Sequence, residues 1–188
     1  MKRALMLLVC LMIFAAGFSS ACAQEQVCEN REFLFRNGIT WKSTLEEVAL
    51  AENEESERDE FNGFLMHRVY GVSVSNFEAD LAYYFADDRL LMAAYFFDEG
   101  ALREDQLLYL QEALAYKYGE PVAPDMERLN TVLRAIEDTE YPVSHLINWQ
   151  LEDGTYIAQF DLEGFEFIFY INQDALLRAR GVYNTAGL

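Results

Sequence analysis

The chain has 188 residues and a formal net charge of −18, with 32 acidic against 14 basic side chains. A surface this negative repels nucleic acid and anionic membranes, so we expect neither class of partner. The length suits one domain, and because 52% of the residues are apolar, that domain has the material for a sizeable core.

The N-terminus has the three parts of a secretory signal peptide. Lys2-Arg3 precede an apolar stretch over residues 4–17, and small residues follow up to Ala23. The apolar stretch is shorter than the roughly 20 residues that a helix needs to span a bilayer. We therefore predict that residues 1–23 are a signal peptide and that the protein works outside the cytoplasm.

Two cleavage sites fit this N-terminus. Cleavage after Ala23 gives a secreted protein and leaves Cys28 as the one remaining cysteine, too few for a disulfide framework. Cleavage before Cys22 gives a bacterial lipoprotein, held at the membrane by a lipid on that cysteine. Residues 20–21 suit this second site, although Ser19 stands where a branched apolar residue is usual. We predict the first outcome and keep Cys22 as the candidate lipidation site.

A polar tether is predicted over residues 24–32, followed by a single α+β domain over residues 33–188. Apolar residues alternate over 33–35 as in a short strand. Thr44 and Glu47 then form a capping box, in which each side chain satisfies an unpaired N–H at the start of a helix. This pattern predicts a short amphipathic helix after Thr44.

The stretch 52–60 is dominated by acidic residues, with Arg58 as its one cation. It has no apolar periodicity, which indicates a solvated loop or a frayed helix end. It also lacks the glycine and the ordered oxygen spacing of a calcium loop. We therefore predict no metal site there.

Strand patterns follow from Met66 to Phe97. Asp87-Asp88 lies between two alternating apolar runs, which is typical of a two-residue hairpin turn. Counting outward from that turn predicts three cross-strand pairs: Phe85 with Leu90, Tyr83 with Met92, and Leu81 with Ala94.

Helix patterns return after Asp98. Apolar side chains recur at helical spacing from Leu107 to Tyr118, and Gly119 provides the stop. A second helix is predicted from Met126 to about Glu137. Three strands complete the chain, over 143–151, 155–162 and 165–171, with turns at Asp153-Gly154 and Glu163-Gly164.

This order of elements indicates an internal duplication. A helix precedes a set of strands, and the same order is then repeated, so that the hairpin over 81–97 corresponds to the one over 156–171. The predicted fold class is α+β, with two helix-plus-antiparallel-sheet units in tandem and helices packed on one face of the sheet.

Several short motifs resemble a known family. The opening F-x-F-R-x-G-I-x-W, over 33–41, and the following T-x-x-E-V, over 44–48, are similar to small exported proteins of Gram-positive gut bacteria. Later matches lie at 84–90, 94–97 and 118–121, so the resemblance covers most of residues 33–171. The chain departs at Lys42 and Ser43, where this family usually has Gly and Met. The resemblance implies a fold similar to beta-lactamase inhibitor protein and to small outer-membrane assembly lipoproteins, which act by binding other proteins.

No residue pattern predicts catalysis. His67 and His145 lie outside zinc-binding spacing, and the nucleophile-elbow pattern at 71–75 lacks its final glycine. Glu166 lies between two phenylalanines, but strand alternation points it away from both. We therefore predict no enzyme activity, no metal and no cofactor, with a hydrolase whose site escapes sequence reading as the weakest alternative.

The predicted sheet has two apolar faces. One is the core. The other is too apolar for a solvated sheet face, and two explanations are open: a loop, a terminal segment or the second helix covers it, or it is an exposed aromatic platform for a protein partner. The candidate partner-binding residues of this platform are Tyr84, Leu91, Tyr95, Phe97, Ile168 and Tyr170.

Three functions follow as hypotheses. The first is an exported, non-enzymatic module that binds another extracytoplasmic protein. The second is a structural protein of the cell envelope, tethered by a lipid on Cys22. The third is the hydrolase.

Overall fold

A computed structural model describes residues 33–137 and 142–181. The predicted signal peptide, the tether and Cys22 therefore lie outside the described residues. Within these ranges the chain is α+β, with one seven-stranded antiparallel sheet and four α-helices. None of the described helices is long and apolar enough to cross a membrane.

The helices and strands alternate in blocks along the chain. The helices are α1 (Leu45–Glu52), α2 (Glu104–Tyr118), α3 (Met126–Ile136) and α4 (Gln173–Ala179). The strands are β1 (Ser56–Phe61), β2 (Phe64–Val74), β3 (Phe77–Ala86), β4 (Arg89–Phe97), β5 (Val143–Gln150), β6 (Thr155–Leu162) and β7 (Phe165–Asn172). They lie side by side in the order β1-β2-β3-β4-β7-β6-β5.

Two-residue turns join most of the neighbouring strands. Asp87-Asp88 connects β3 to β4 with both residues at positive φ, and Glu163-Gly164 connects β6 to β7 in the same way. Such turns match the right-handed twist of the strands they join. These two predicted turns are confirmed, and the third, at Asp153-Gly154, lies as predicted in the connection from β5 to β6. The predicted helix from Met126 and the capping box of Thr44 and Glu47 at the start of α1 are confirmed as well.

Two expectations near the N-terminus are wrong. The acidic stretch predicted as a loop contains β1, an exposed edge strand that a turn at Asn62-Gly63 pairs with β2. Charged side chains on an edge strand discourage pairing with other chains, which explains an acidic strand without apolar alternation. Residues 33–35 are not a strand. They precede a 3₁₀ turn over Arg36–Gly38, and the side chains of Phe33 and Phe35 are buried.

A β-bulge at Leu91 changes the register that the sequence predicts. Phe85 pairs with Leu90 as expected, but the next pair is Tyr84 with Met92, because Leu91 is an extra residue in β4. Leu81 consequently pairs with Tyr95, and Ala94 with Ala82. A shift of one residue exchanges the two faces of a strand. Tyr84 and Leu91 therefore lie on the opposite face from Tyr95 and Tyr170, with which the sequence analysis grouped them.

The sheet is covered on both faces, which corrects the prediction of helices on one face. On the first face, the segment 33–41, α1 and α2 pack on a cluster that contains Tyr83, Tyr95 and Tyr170. On the second face, α3 and α4 pack on a cluster that contains Tyr84 and Phe169. The physical reason is that the central strands are apolar on both sides, and such strands need cover on both.

Candidate functional site

All six predicted partner-binding residues are buried, with exposed fractions between 1% and 7%. They also lie on different faces: Tyr84 and Leu91 on the second face, and the other four on the first. They therefore do not form an exposed platform. The alternative explanation holds instead, because a terminal segment covers one group of side chains and the second predicted helix covers the other.

The segment 33–41 covers the first face through its aromatic rings. The ring of Phe35 lies 5.4 Å from that of Tyr95 and 4.9 Å from that of Tyr170, measured between centroids. Phe33 stacks on Trp41 at 3.9 Å, and the indole nitrogen of Trp41 donates a 2.8 Å hydrogen bond to Oγ1 of Thr155. These contacts hold the segment across the middle of the sheet.

A pocket of about 240 Å³ lies between this segment, α2 and the turn between β2 and β3. Three of the predicted residues, Tyr95, Ile168 and Tyr170, line it. The fold therefore brings three of the six candidate residues together at one site. That site is a small pocket beneath α2, not a surface on which a protein could dock.

Two basic residues, Arg36 and Lys117, line the same pocket. Neither was singled out from the sequence. Arg36 directly follows Phe35, which is part of the core. The position of an arginine next to a core residue is the sequence signal that could have identified it. Lys117 is in the last turn of α2, where a cation also suits the helix dipole.

A buried carboxylate lies next to the pocket. Glu52 is 3% exposed, and its Oε2 lies 3.3 Å from Nε of Arg36 and accepts a hydrogen bond from the Asn37 amide. The hydroxyl of Tyr83 donates to its Oε1. Burial raises the pKa of Glu52, while the contacts with Tyr83 and Arg36 oppose that rise.

A second carboxylate, that of Glu166, is buried at the start of β7. The amide of Gln159 donates a 2.7 Å hydrogen bond to Glu166, and burial raises the pKa of this carboxyl group. A hydrolase needs such a group beside a cleft. Neither Glu52 nor Glu166 lines the pocket beneath α2.

The two histidines lie in different environments. His67 lies in β2, is buried, and has no hydrogen-bond partner for either ring nitrogen among the described residues. His145 lies at positive φ in the bulge of β5 and is exposed. In the part of the chain that the structure describes, no three His, Cys, Asp or Glu side chains are placed to hold a metal ion.

The outer side of α2 exposes large apolar side chains. Leu108, Tyr109 and Tyr116 are 55%, 50% and 90% exposed, whereas Leu110 and Leu114 are buried against the sheet. The sequence predicted only the inward face. The missed signal is the run of four apolar residues over 107–110, because one face of a helix cannot hold four consecutive residues.

Comparison with protein-family models, with curated proteins and with solved structures finds no significant match.

Proposed function

We propose that this protein is an exported, non-enzymatic module that binds another extracytoplasmic protein through the outer side of α2. The observation that carries the proposal is the exposure of Leu108, Tyr109 and Tyr116 on one helix. Tyrosine is enriched at the centres of protein interfaces, because a large rigid ring gives contact area and a hydroxyl gives a hydrogen bond.

The charges around these residues define the partner. Glu104, Asp105 and Glu112 are exposed on the same helix, against two cations: Arg103, which pairs with Asp105, and Lys117 in the last turn. The surroundings of the apolar side chains therefore carry a net negative charge, which is called the acidic rim below. Complementary charge speeds association and suppresses wrong partners. The partner is therefore a protein with an apolar patch bordered by Lys and Arg.

The location outside the cytoplasm is supported by the signal-peptide pattern of residues 1–23. A second function, a lipid-tethered structural protein of the envelope, is favoured by the lipobox-like residues before Cys22. The mass of the mature N-terminus decides between the two: a chain starting at Gln24 supports secretion, and a lipid on Cys22 supports tethering.

An internal duplication of the scaffold is part of the proposal. It is supported by the sheet order, in which β2-β3-β4 and β7-β6-β5 meet at β4 and β7. The first strand of each set, β2 and β5, contains a bulge, and α1 and α2 cover the same face. In this arrangement α3 and α4 are additions on the opposite face.

Affinity capture with matched variants tests the proposal. The secreted protein, a Tyr109→Ser/Tyr116→Ser variant and a Met126→Ser control serve as baits in medium from the source organism. Met126 is 39% exposed on α3, in the opposite layer. We expect one partner that is captured by the wild type and by the control, and lost with the double variant.

The captured protein is then purified, and its affinity is measured at two salt concentrations. We expect tighter binding at low salt, because the acidic rim attracts a basic partner. Equal capture by the double variant, or affinity that does not depend on salt, contradicts the proposal.

A further inference from the structure

The pocket beneath α2 carries an inference that does not rest on the docking of a protein. Its lining differs in charge from the rest of the molecule. Acidic side chains outnumber basic ones by 32 to 14 in the chain, yet the lining of this pocket contains two basic residues, Arg36 and Lys117, and no acidic residue. The two cations come from different segments and converge on one space. Such a lining favours an anion over a cation.

Arg36 has the capacity to hold an additional acceptor. Its Nε lies 3.3 Å from Glu52, and its Nη2 lies 3.5 Å from Glu54. Both distances are long for charge-assisted hydrogen bonds, which are typically about 2.7–2.9 Å. The third nitrogen, Nη1, is buried and has no hydrogen-bond partner among the described residues. A buried donor without an acceptor costs free energy, so the two carboxylates do not fully satisfy Arg36.

The remaining lining is mostly apolar. The rings of Phe35, Tyr95 and Tyr170 line the pocket, and so do Leu110 and Leu114 of α2. Apolar walls with a few convergent polar groups are the usual composition of a small-molecule site. The volume of about 240 Å³ is below the 300–1,000 Å³ typical of drug-sized ligands, which limits the occupant to a small molecule.

Hydroxyl groups complete the polar part of the site. Ser73 and Ser75, from the end of β2 and the turn that follows it, also line the pocket. A hydroxyl can donate to one carboxylate oxygen while a cation contacts the other. Together these groups suit a single carboxylate better than an extended phosphate, because the apolar walls leave little room for a second charged group.

We propose that the pocket between α2, the β2–β3 turn and the segment 33–41 binds a small monocarboxylate with a compact apolar body. The carboxylate contacts Arg36 and Lys117, and the apolar body lies against Phe35 and Leu114. Release of water from these apolar walls contributes to binding, and the cations select the charged form of the ligand.

Calorimetric titration of the secreted protein tests this proposal with three probes: benzoate, phenylacetate and 4-methylpentanoate. We expect at least one probe to bind saturably with one-to-one stoichiometry. Its alcohol of matched shape, benzyl alcohol in the case of benzoate, is expected to bind roughly tenfold or more weakly, because it lacks the charge. Failure of all three probes, or equal affinity for the alcohol, overturns the proposal without any variant.

Variants locate the binding. Lys117→Met removes the charge and keeps the chain length, so we expect it to weaken binding by about fivefold or more. Ala113→Leu, whose added bulk enters the pocket, is expected to abolish binding. Lys42→Met is the matched control outside this lining and is expected to bind as the wild type does. Thermal melting checks that each variant folds.

The outcomes separate this inference from the proposed function. The Tyr109→Ser/Tyr116→Ser variant, which removes side chains on the outer side of α2, is expected to bind the probe with unchanged affinity. Unchanged binding by both Lys117→Met and Ala113→Leu overturns the pocket as the site, whatever partner the outer side of α2 binds.

Discussion

The hydroxyl of Tyr83 donates a hydrogen bond to Oε1 of Glu52, which joins the middle of β3 to the last residue of α1 inside the first face. Arg36 and Asn37, from the segment over that face, contact the other oxygen of the same carboxylate. One buried carboxylate therefore connects the sheet, a helix end and the N-terminal segment.

This arrangement predicts a pH-dependent effect of Glu52→Gln. Burial raises the pKa of Glu52 above 4.5, so the folded protein holds this proton more tightly than the unfolded chain does. Its contribution to the free energy of unfolding therefore falls as the pH rises through 4.5 and the folded-state value. Because Gln does not titrate, we expect the stability of the variant relative to wild type to increase between about pH 4 and about pH 7. Urea unfolding at both pH values measures this, and a constant or decreasing difference contradicts it.

Tyr83→Phe tests the other side of the same contact. The substitution removes the donor and leaves the ring, so the buried carboxylate loses a hydrogen bond. We expect the free energy of unfolding at neutral pH to fall by about 1–3 kcal/mol, the usual cost of leaving a buried polar group without its partner. A change below about 0.5 kcal/mol shows that the contact does not stabilise the fold.

His67 is expected to titrate below its ordinary range. Burial lowers its pKa from 6.5, with the charge of Arg58 acting in the same direction. The folded state thus disfavours the proton, and the stability contributed by the neutral ring is lost as the pH falls from 6.5 through the folded-state value. An NMR titration of the ring protons measures the midpoint directly. A midpoint above 6.5 contradicts the burial of this side chain.

The turn between β3 and β4 offers a matched pair of substitutions. Asp87 and Asp88 both have positive φ, which glycine adopts more easily, but only Asp88 accepts a hydrogen bond, at 3.2 Å, from the backbone N–H of Leu45 at the start of α1. We expect Asp87→Gly to leave the stability unchanged or slightly higher. Asp88→Gly is expected to be less stable than Asp87→Gly by about 1 kcal/mol. Equal stabilities in urea unfolding show that the contact with α1 contributes nothing.

The sequence predicted the features that local patterns determine. The turns at Asp87-Asp88 and Glu163-Gly164 and the capping box at Thr44 follow from residue type alone, and all are confirmed. The bulge at Leu91 was not predictable, because one apolar residue inserted into an apolar strand leaves no mark. Because the bulge was not foreseen, Tyr84 was assigned to the same face as Tyr95 and Tyr170. This assignment produced the expectation of a shared aromatic platform.

Whether the second face of the sheet is covered was left open for a related reason. Apolar residues on both sides of a strand are consistent with a buried or an exposed second face, and only the packing of Phe35 and α3 decides between them. The site residues Arg36 and Lys117 were missed because they lie far apart in the sequence and meet only through the fold.

The orientation of α2 predicts opposite effects at two of its positions. Leu110 is buried against the sheet, and we expect Leu110→Ala to lower the free energy of unfolding by about 2–5 kcal/mol through lost burial and a cavity. Tyr116 is 90% exposed, and Tyr116→Ser is expected to change it by less than about 0.5 kcal/mol. If Tyr116→Ser destabilises the protein as strongly as Leu110→Ala does, the side of α2 that carries Tyr116 also packs against other residues, which contradicts this orientation.

Chemical modification of tyrosine, read by mass spectrometry, tests most directly whether α2 or the sheet is the recognition surface. In the free protein we expect Tyr109 and Tyr116 to react, and Tyr84, Tyr95 and Tyr170 to be protected by the two helical layers. In the complex with the captured partner, Tyr109 and Tyr116 become protected as well. Reaction of the three sheet tyrosines in the free protein, or undiminished reaction of Tyr109 and Tyr116 in the complex, contradicts the account.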